Sequence, residues 1–373
     1  MTEHATLVLF QYLFQLGRCI YSDSVHTGVY LDMYEYGVKG ILRADPDATV
    51  GGPAFALGEI GVEDWVGFLP RVKSANLPLD FYSFHTYLDG DTWFRSESVR
   101  KDSGGNEIEK VVSGLGGDPY FLKTSVHINE FSYLNGDNGA NEGLQSPYNY
   151  YSGAVDTLNG LMEAVDRTTI QWVYWAKFME STGGFDPYGM IEQTDGHVKA
   201  PFNALKIYAD MPVWRYDAAF SNNNDGLSSL VSADGGKISI LIWNNNDPEK
   251  GSGAETVRVK ISDPCFDQGE RRVYRIDKDH GSWFDDSSSE ELKAEEVKNV
   301  KTGEPVWEGT VPAHGVVYIT INKDPNAADF CAQENASTFG TDIKTQYYYE
   351  DRYRNMRGSR EEWSDVKEGI HGS

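Results

Sequence analysis

The sequence predicts an α/β region followed by an all-β region, on two observations. Between about residues 28 and 212, short apolar strands alternate with amphipathic helices, which argues for a parallel sheet or a β/α barrel. From about Val213 the character changes to short β-runs separated by Gly, Asn and Asp turns, as expected of an antiparallel sandwich. The chain has 373 residues, enough for two or three domains with a sizeable core.

The elements of the first region follow in order. Tyr30, Tyr34, Val38, Ile41 and Leu42 recur at helical spacing. Ala48 to Ala54 is a short strand stopped by Gly51-Gly52-Pro53. Trp65, Phe68, Leu69 and Val72 mark a second helix, and Pro78 to Tyr87 is a β-run rich in aromatics. Ser125 to Ser132 is the next strand, read as ending in a carboxylate, Glu130. A helix over about 153–165 carries Ala154, Leu158, Leu161, Met162 and Val165 on one face. Thr168 to Trp175 is a fourth strand and Ala200 to Ala209 a closing helix.

In the second region the β-runs are Leu227 to Ser232, Lys237 to Asn244, Thr256 to Ile261, Arg272 to Ile276 and Val316 to Ile321. The tail, 324–373, lacks a clear period and reads as an extended arm or the start of a further module. Residues 1–27 fit neither region and stay unassigned.

Composition narrows the partners. A formal net charge of −24 argues against nucleic acid or an anionic membrane, both of which need a cationic surface. Neutral ligands such as sugars remain compatible. Nine Trp and 22 Tyr supply flat amphipathic rings of the kind that stack on sugar faces, though such rings are also ordinary core material. No run of about 20 apolar residues suggests a membrane span. The apolar stretch Leu7 to Leu16 is preceded by Glu3 and His4, not by a basic segment, so no secretion signal is read.

No cofactor or metal is expected. Cys19, Cys265 and Cys331 are too few for a zinc cluster; Cys265 and Cys331 either pair or stay as thiols. Asn222-Asn223-Asn224-Asp225-Gly226 reads as a turn, lacking the spaced acidic ligands of a calcium loop. Gly114 to Asp118 is Gly-rich, but no helix with Lys follows it, as a phosphate loop would need.

In β/α barrels the working residues lie at the C-terminal ends of strands. Glu130, His85 and Trp175 each read that way. Period-two counting groups Val126, Ile128 and Glu130 on one face, and Phe81, Ser83 and His85 on one face. If those faces point inward, Glu130 and His85 reach the same cavity. The bland alternatives are a salt-bridged carboxylate, a satisfied semi-buried histidine and, for Trp175 and Tyr87, plain core aromatics.

Taken together, Val50-Gly51-Gly52-Pro53-Ala54, Asp80 to Tyr87, Asn129-Glu130-Phe131, the strand ending in Trp175 and the following sandwich resemble glycoside hydrolase family 39. That family contains β-xylosidases of the retaining (β/α)8-barrel clan. The resemblance covers about 28–322. It implies that Glu130 is the nucleophile at the end of the seventh strand. It further implies that His85, Tyr87, Asn129 and Trp175 line the sugar site, and that the partner is a β-glycoside or an oligo- or polysaccharide.

The sequence also departs from the family. The helix at Tyr30 to Leu42 would be the fourth barrel helix, leaving too few residues for strands one to four, since a whole barrel takes about 250. The resemblance thus implies a partial barrel over 28–212 with a sandwich over 213–323. The family's Asn-Glu acid/base motif does not occur before Gly28. Glu142, Glu180, Asp89 and Asp91 are the replacement acids the sequence offers. Two readings stand: a retaining β-glycosidase, or a non-catalytic carbohydrate-binding remnant. Either the chain is a fragment of a longer protein or the gap is covered in another way, self-association through the open barrel edges being one.

Overall fold

A computed structural model describes residues 24–56, 62–89, 115–134, 149–165, 170–175, 189–192, 195–216, 218, 220, 226–246, 253–261, 269–300 and 305–323. The chain divides into two compact units. One comprises Met1–Gly136, Glu163–Ala176 and Arg354–Ser373; the other comprises Asp137–Met162 and Lys177–Tyr353.

The first unit holds a four-stranded sheet, order β1-β2-β3-β4, with every pair parallel. The strands are β1 (Gly51–Ala56), β2 (Phe81–Asp89), β3 (Ser125–Leu134) and β4 (Ile170–Trp175). Helices α1 (Ser24–Ala44) and α2 (Val62–Ser74) belong to the same unit. The predicted strands and helices are all present here, with ends displaced by a few residues. β3 is the informative exception: it runs four residues past Glu130. The reason lies in Phe131-Ser132-Tyr133-Leu134, which continues a β-favouring alternation with no turn residue to stop it.

The helices cover one face of this sheet through aromatic rings. Phe68 of α2 is fully buried; its ring meets Tyr34 of α1 edge-on at 4.9 Å and Tyr82 of β2 at 6.1 Å. Burial drives the Tyr82 hydroxyl well above its ordinary pKa, so it stays protonated. Tyr30 donates to the Pro53 carbonyl at 2.8 Å, tying α1 to β1. Outside, Arg71 reaches Asp32 at 2.9 Å and Glu35 at 3.0 Å; as exposed pairs screened by water they add little to stability.

At the N-terminal ends of the strands, Asp80 acts as a clamp. Its amide donates to Val50 O at 2.8 Å, and its carboxylate accepts from Val50 N at 2.9 Å. Its carbonyl accepts from Ser125 N at 3.0 Å and from Ser125 Oγ at 3.2 Å. One residue thereby fixes where β1, β2 and β3 begin. Gly51 permits the close approach, because a Cβ there would meet the Phe81 carbonyl oxygen at 2.2 Å.

The second unit is built on a six-stranded antiparallel sheet, order β10-β9-β12-β7-β6-β5, and a two-stranded one, β11-β8. Its strands are β5 (Trp214–Tyr216), β6 (Leu227–Ala233), β7 (Lys237–Asn244), β8 (Glu255–Val259), β9 (Gly269–Ile276), β10 (Glu296–Val300), β11 (Trp307–Val311) and β12 (Val316–Lys323). Five match the predicted runs. β5, β10 and β11 are additional: β5 has three residues, while Glu-Val-Lys-Asn-Val and Trp-Glu-Gly-Thr-Val are too polar or too Gly-broken to read as strands alone.

The large sheet is covered on both faces, which explains why β7 is apolar almost throughout. Ile238, Ile240 and Ile242 join Val317, Ile319, Val311 and Trp307 in one core. Leu241 and Trp243 join Val316, Tyr318 and Ile276 in a second. That second core takes in Ala154, Val155 and Leu158 of α3 (Ser152–Val165) and Ala200, Ala204 and Ile207 of α4 (Ala200–Asp210). Trp243 Nε1 donates to Asn159 Oδ1 at 2.7 Å, and Asn159 Nδ2 donates to Asn245 Oδ1 at 2.9 Å. Trp243→Phe leaves that half-buried acceptor without its donor and opens a void. A loss of about 2–4 kcal/mol is expected, read as a lower midpoint in chemical denaturation of the second unit.

Among the described residues no helix is long and apolar enough to cross a membrane. The tail expected at 324–373 and the segment 1–23 lie outside the described residues.

Candidate active site

β2 and β3 build the site. Along β2, Phe81 and Ser83 project to one side, and Tyr82 and Phe84 to the other, where Phe68 of α2 meets Tyr82. Residues in register on adjacent strands share a face. Phe81 pairs with Ser125 and Ser83 with His127, while Tyr82 pairs with Val126 and Phe84 with Ile128. Val126 and Ile128 therefore lie on the helix-covered face. Ser125 and His127 lie opposite, where the His127 ring stacks on Phe81 at 4.3 Å with planes 4° apart. His127 Nε2 lies 3.3 Å from Ser125 Oγ.

This corrects the period-two grouping in part. Val126 and Ile128 do not share a face with Phe81 and Ser83. Simple alternation would carry Glu130 to the helix-covered face with them. A β-bulge intervenes. Ile128 pairs with Phe84, but the next pair is Glu130 with His85, so Asn129 is an extra residue. The same two-against-one count appears toward β4, where Ile128 pairs with Val173 and Phe131 with Trp175. A bulge re-aims a side chain and resets the alternation beyond it. Glu130 thus comes to the register of His85 by an irregularity, and not by the periodicity from which their proximity was expected.

Bulges recur across this sheet. β1 has one at Ala54, between Pro53 paired with Ser83 and Phe55 paired with Phe84. Ala54 sits there at φ 61°, a left-handed conformation that costs a non-glycine residue about 1–2 kcal/mol. β4 has one at Gln171, between Ile170 paired with Val126 and Trp172 paired with His127. Such irregularities are over-represented next to active sites.

Among the expected site residues, Glu130 and Asn129 are partly buried. His85 lies in register with Glu130, Tyr87 with Ser132, and Trp175 with Phe131. For His85, Tyr87 and Trp175 the backbone alone is described. Trp175 ends its strand, whereas β2 continues four residues beyond His85. Of the replacement acids, Asp89 is the last residue of β2; Asp91, Glu142 and Glu180 lie outside the described residues.

Two features escape sequence reading. One is His127, although Ser125 and His127 alternate with apolar Val126 and Ile128, which is signal enough for a polar face opposite the helices. The second is the bulge, which no local residue pattern announces. Asn129 Oδ1 within it is buried and accepts no hydrogen bond. Among the described residues no group of three or more His, Cys, Asp and Glu side chains could hold a metal ion.

No family model matches the chain. A curated relative, a β-xylosidase from Caldicellulosiruptor saccharolyticus, is 22% identical over 327 residues, spanning 78% of this chain and 63% of that protein. Among solved structures, a monomeric β-xylosidase from Caulobacter crescentus CB15 superposes with a TM-score of 0.62 at 18% identity. It covers 81% of this chain and 66% of its own. The GH39 enzyme from Xanthomonas axonopodis pv. citri gives 0.55 at 18% identity, covering 81% of this chain and 65% of its own.

The fold is therefore one shared with glycoside hydrolases. More narrowly, the chain is similar to β-xylosidases and to a GH39 enzyme, and it spans about two thirds of the length of these relatives.

Proposed function

We propose that the chain carries the second half of a retaining β-glycosidase acting on xyloside-type β-linked sugars, with Glu130 as nucleophile. In this reading β1 to β4 are barrel strands five to eight, within a partial barrel over 28–212 followed by a sandwich over 213–323. The observation that carries the reading is the register of Glu130 with His85 across the bulge. It matches the order in which family 39 motifs supply a nucleophile and a sugar contact. The similarity to β-xylosidases points to the substrate class.

Retaining hydrolysis needs two carboxyl groups about 5–5.5 Å apart. The Glu130 carboxylate attacks the anomeric carbon, and the bond to the leaving oxygen breaks with its electron pair. A general acid protonates that oxygen and later deprotonates the water that releases the sugar. Glu130 supplies the first role. His85, Tyr87 and Trp175 contact the sugar, as does Asn129. The second role falls to one of Glu142, Glu180, Asp89 and Asp91, or to a carboxylate not carried by this chain.

A second reading keeps the sugar contacts without turnover. An aryl β-xyloside with a good leaving group separates the two, because its departure needs little acid assistance. Under the enzymatic reading, the peptide containing Glu130 gains the mass of one xylosyl group and phenolate is released. An unmodified peptide after prolonged incubation refutes it.

A further inference from the structure

We infer that the connection between β9 and β10 is a clamp on the two loops that follow β3 and β4, with Glu290 as its positioning residue. The inference rests on the glycosidase reading above, in which those loops form the rim of the substrate site. β9 ends at Ile276 and β10 begins at Glu296, and the two strands pair directly. Adjacent antiparallel strands need a turn of only about two to five residues, and a connection as long as this one is usually functional. Its contacts show what it holds.

All the residues in contact lie within the second unit. The loop that follows β4 ends in a small hairpin just before α4. In it, Ile191 bridges Val198, and Glu192 N donates to His197 O at 2.8 Å. The Glu290 carboxylate grips this hairpin with both oxygens. Oε1 accepts from Val198 N at 2.7 Å, and Oε2 lies 2.9 Å from His197 Nδ1. The His197 ring stacks on Trp283 of the same connection at 4.2 Å, with planes 12° apart. Buried Asn203 of α4 secures the clamp in turn. Its Nδ2 donates to the carbonyls of Gly281 and Glu290, each at 2.9 Å. The loop that follows β3 is held at its end as well: Tyr151, one residue before α3, donates its N–H to Asp285 Oδ2 at 2.8 Å. These bonds join the connection to the loops, not to its own strands. Hydrogen bonds to a carboxylate are among the stronger ones, so Glu290 is where the hairpin is fixed.

The test compares Glu290→Ala and Glu290→Gln with the wild-type 373-residue chain. Amide exchange over 190–199 is expected to rise about tenfold or more in Glu290→Ala, while amides of β7 and β12 keep their wild-type protection. On an activated aryl β-xyloside, KM is expected to rise about fivefold with kcat nearly unchanged, because a loosened rim loses binding common to ground state and transition state. Glu290→Gln keeps one acceptor oxygen and should fall between. A variant that had merely lost folded molecules would show a lower kcat at unaltered KM, and that result overturns the inference. Unchanged exchange in Glu290→Ala also overturns it, by showing that the hairpin does not depend on the clamp. A wild-type chain that turns over no xyloside refutes the glycosidase reading and takes the positioning role down with it, whatever the exchange shows.

Discussion

Replacing Glu130 by Gln is expected to lower turnover of an activated aryl β-xyloside by at least about 10⁴-fold, the scale on which nucleophile removal is felt in other hydrolases. The substitution is nearly isosteric, and Glu130 is only partly buried, so the fold should not change. Far-UV circular dichroism and Tm should match the wild type, and the xylosyl adduct should not form. The size of the effect follows from the chemistry. A carboxamide oxygen is too weak a nucleophile to displace a phenolate, and it cannot stabilise a cationic anomeric centre as an anion does. Retained activity in Glu130→Gln would move the nucleophile elsewhere. That outcome would also remove the meaning of the Glu130–His85 register.

The largest expected loss of stability is at Phe68. It is fully buried, and its ring touches Tyr34 on α1 and Tyr82 on β2. Phe68→Ala removes this shared ring and leaves a cavity against rigid neighbours, for an expected cost of about 3–5 kcal/mol. Hydrogen exchange is the suitable measurement, because amides of β2 and β3 report this unit without averaging over the other. They should exchange faster by about two to four orders of magnitude. Exchange unchanged from the wild type would show that the helices contribute little to holding the sheet. Phe68→Leu, which keeps most of the volume, should restore most of the protection.

The contrast between these two sites marks what the sequence can and cannot tell. The helices were legible because Tyr30, Tyr34 and Val38, then Phe68 and Val72, recur at spacings that only a helix turns to one side. β7 was legible because it is apolar on both faces, although its length alone does not say that two separate cores receive Leu241 and Ile242. β10 and β11 were not legible. Their chemistry suits an exposed or half-exposed strand, and their pairing to β9 and β8 is a tertiary fact.

At the candidate site the sequence named Glu130 and His85 but reached their proximity by the wrong geometry. Alternation cannot count past an inserted residue, and Asn129 is ordinary in composition. The bulge exists because strands on both sides demand it: β2 and β4 each offer one position where β3 supplies two. Such a constraint is written in three segments at once. It stays invisible to any window that spans one strand.

The clamp at Asp80 has a consequence for how this protein could change over generations. His85 lies five residues along β2 from Asp80, a span of about 16 Å at strand rise. Energetic effects of substitutions separated by more than about 10 Å generally add instead of coupling. The foundation of the sheet and the rim proposed to be catalytic can therefore diversify on separate schedules. Substitutions that tighten the rows around Val50, Asp80 and Ser125 create a reserve of stability. Novelty around Glu130 can then draw on that reserve without renegotiating the foundation.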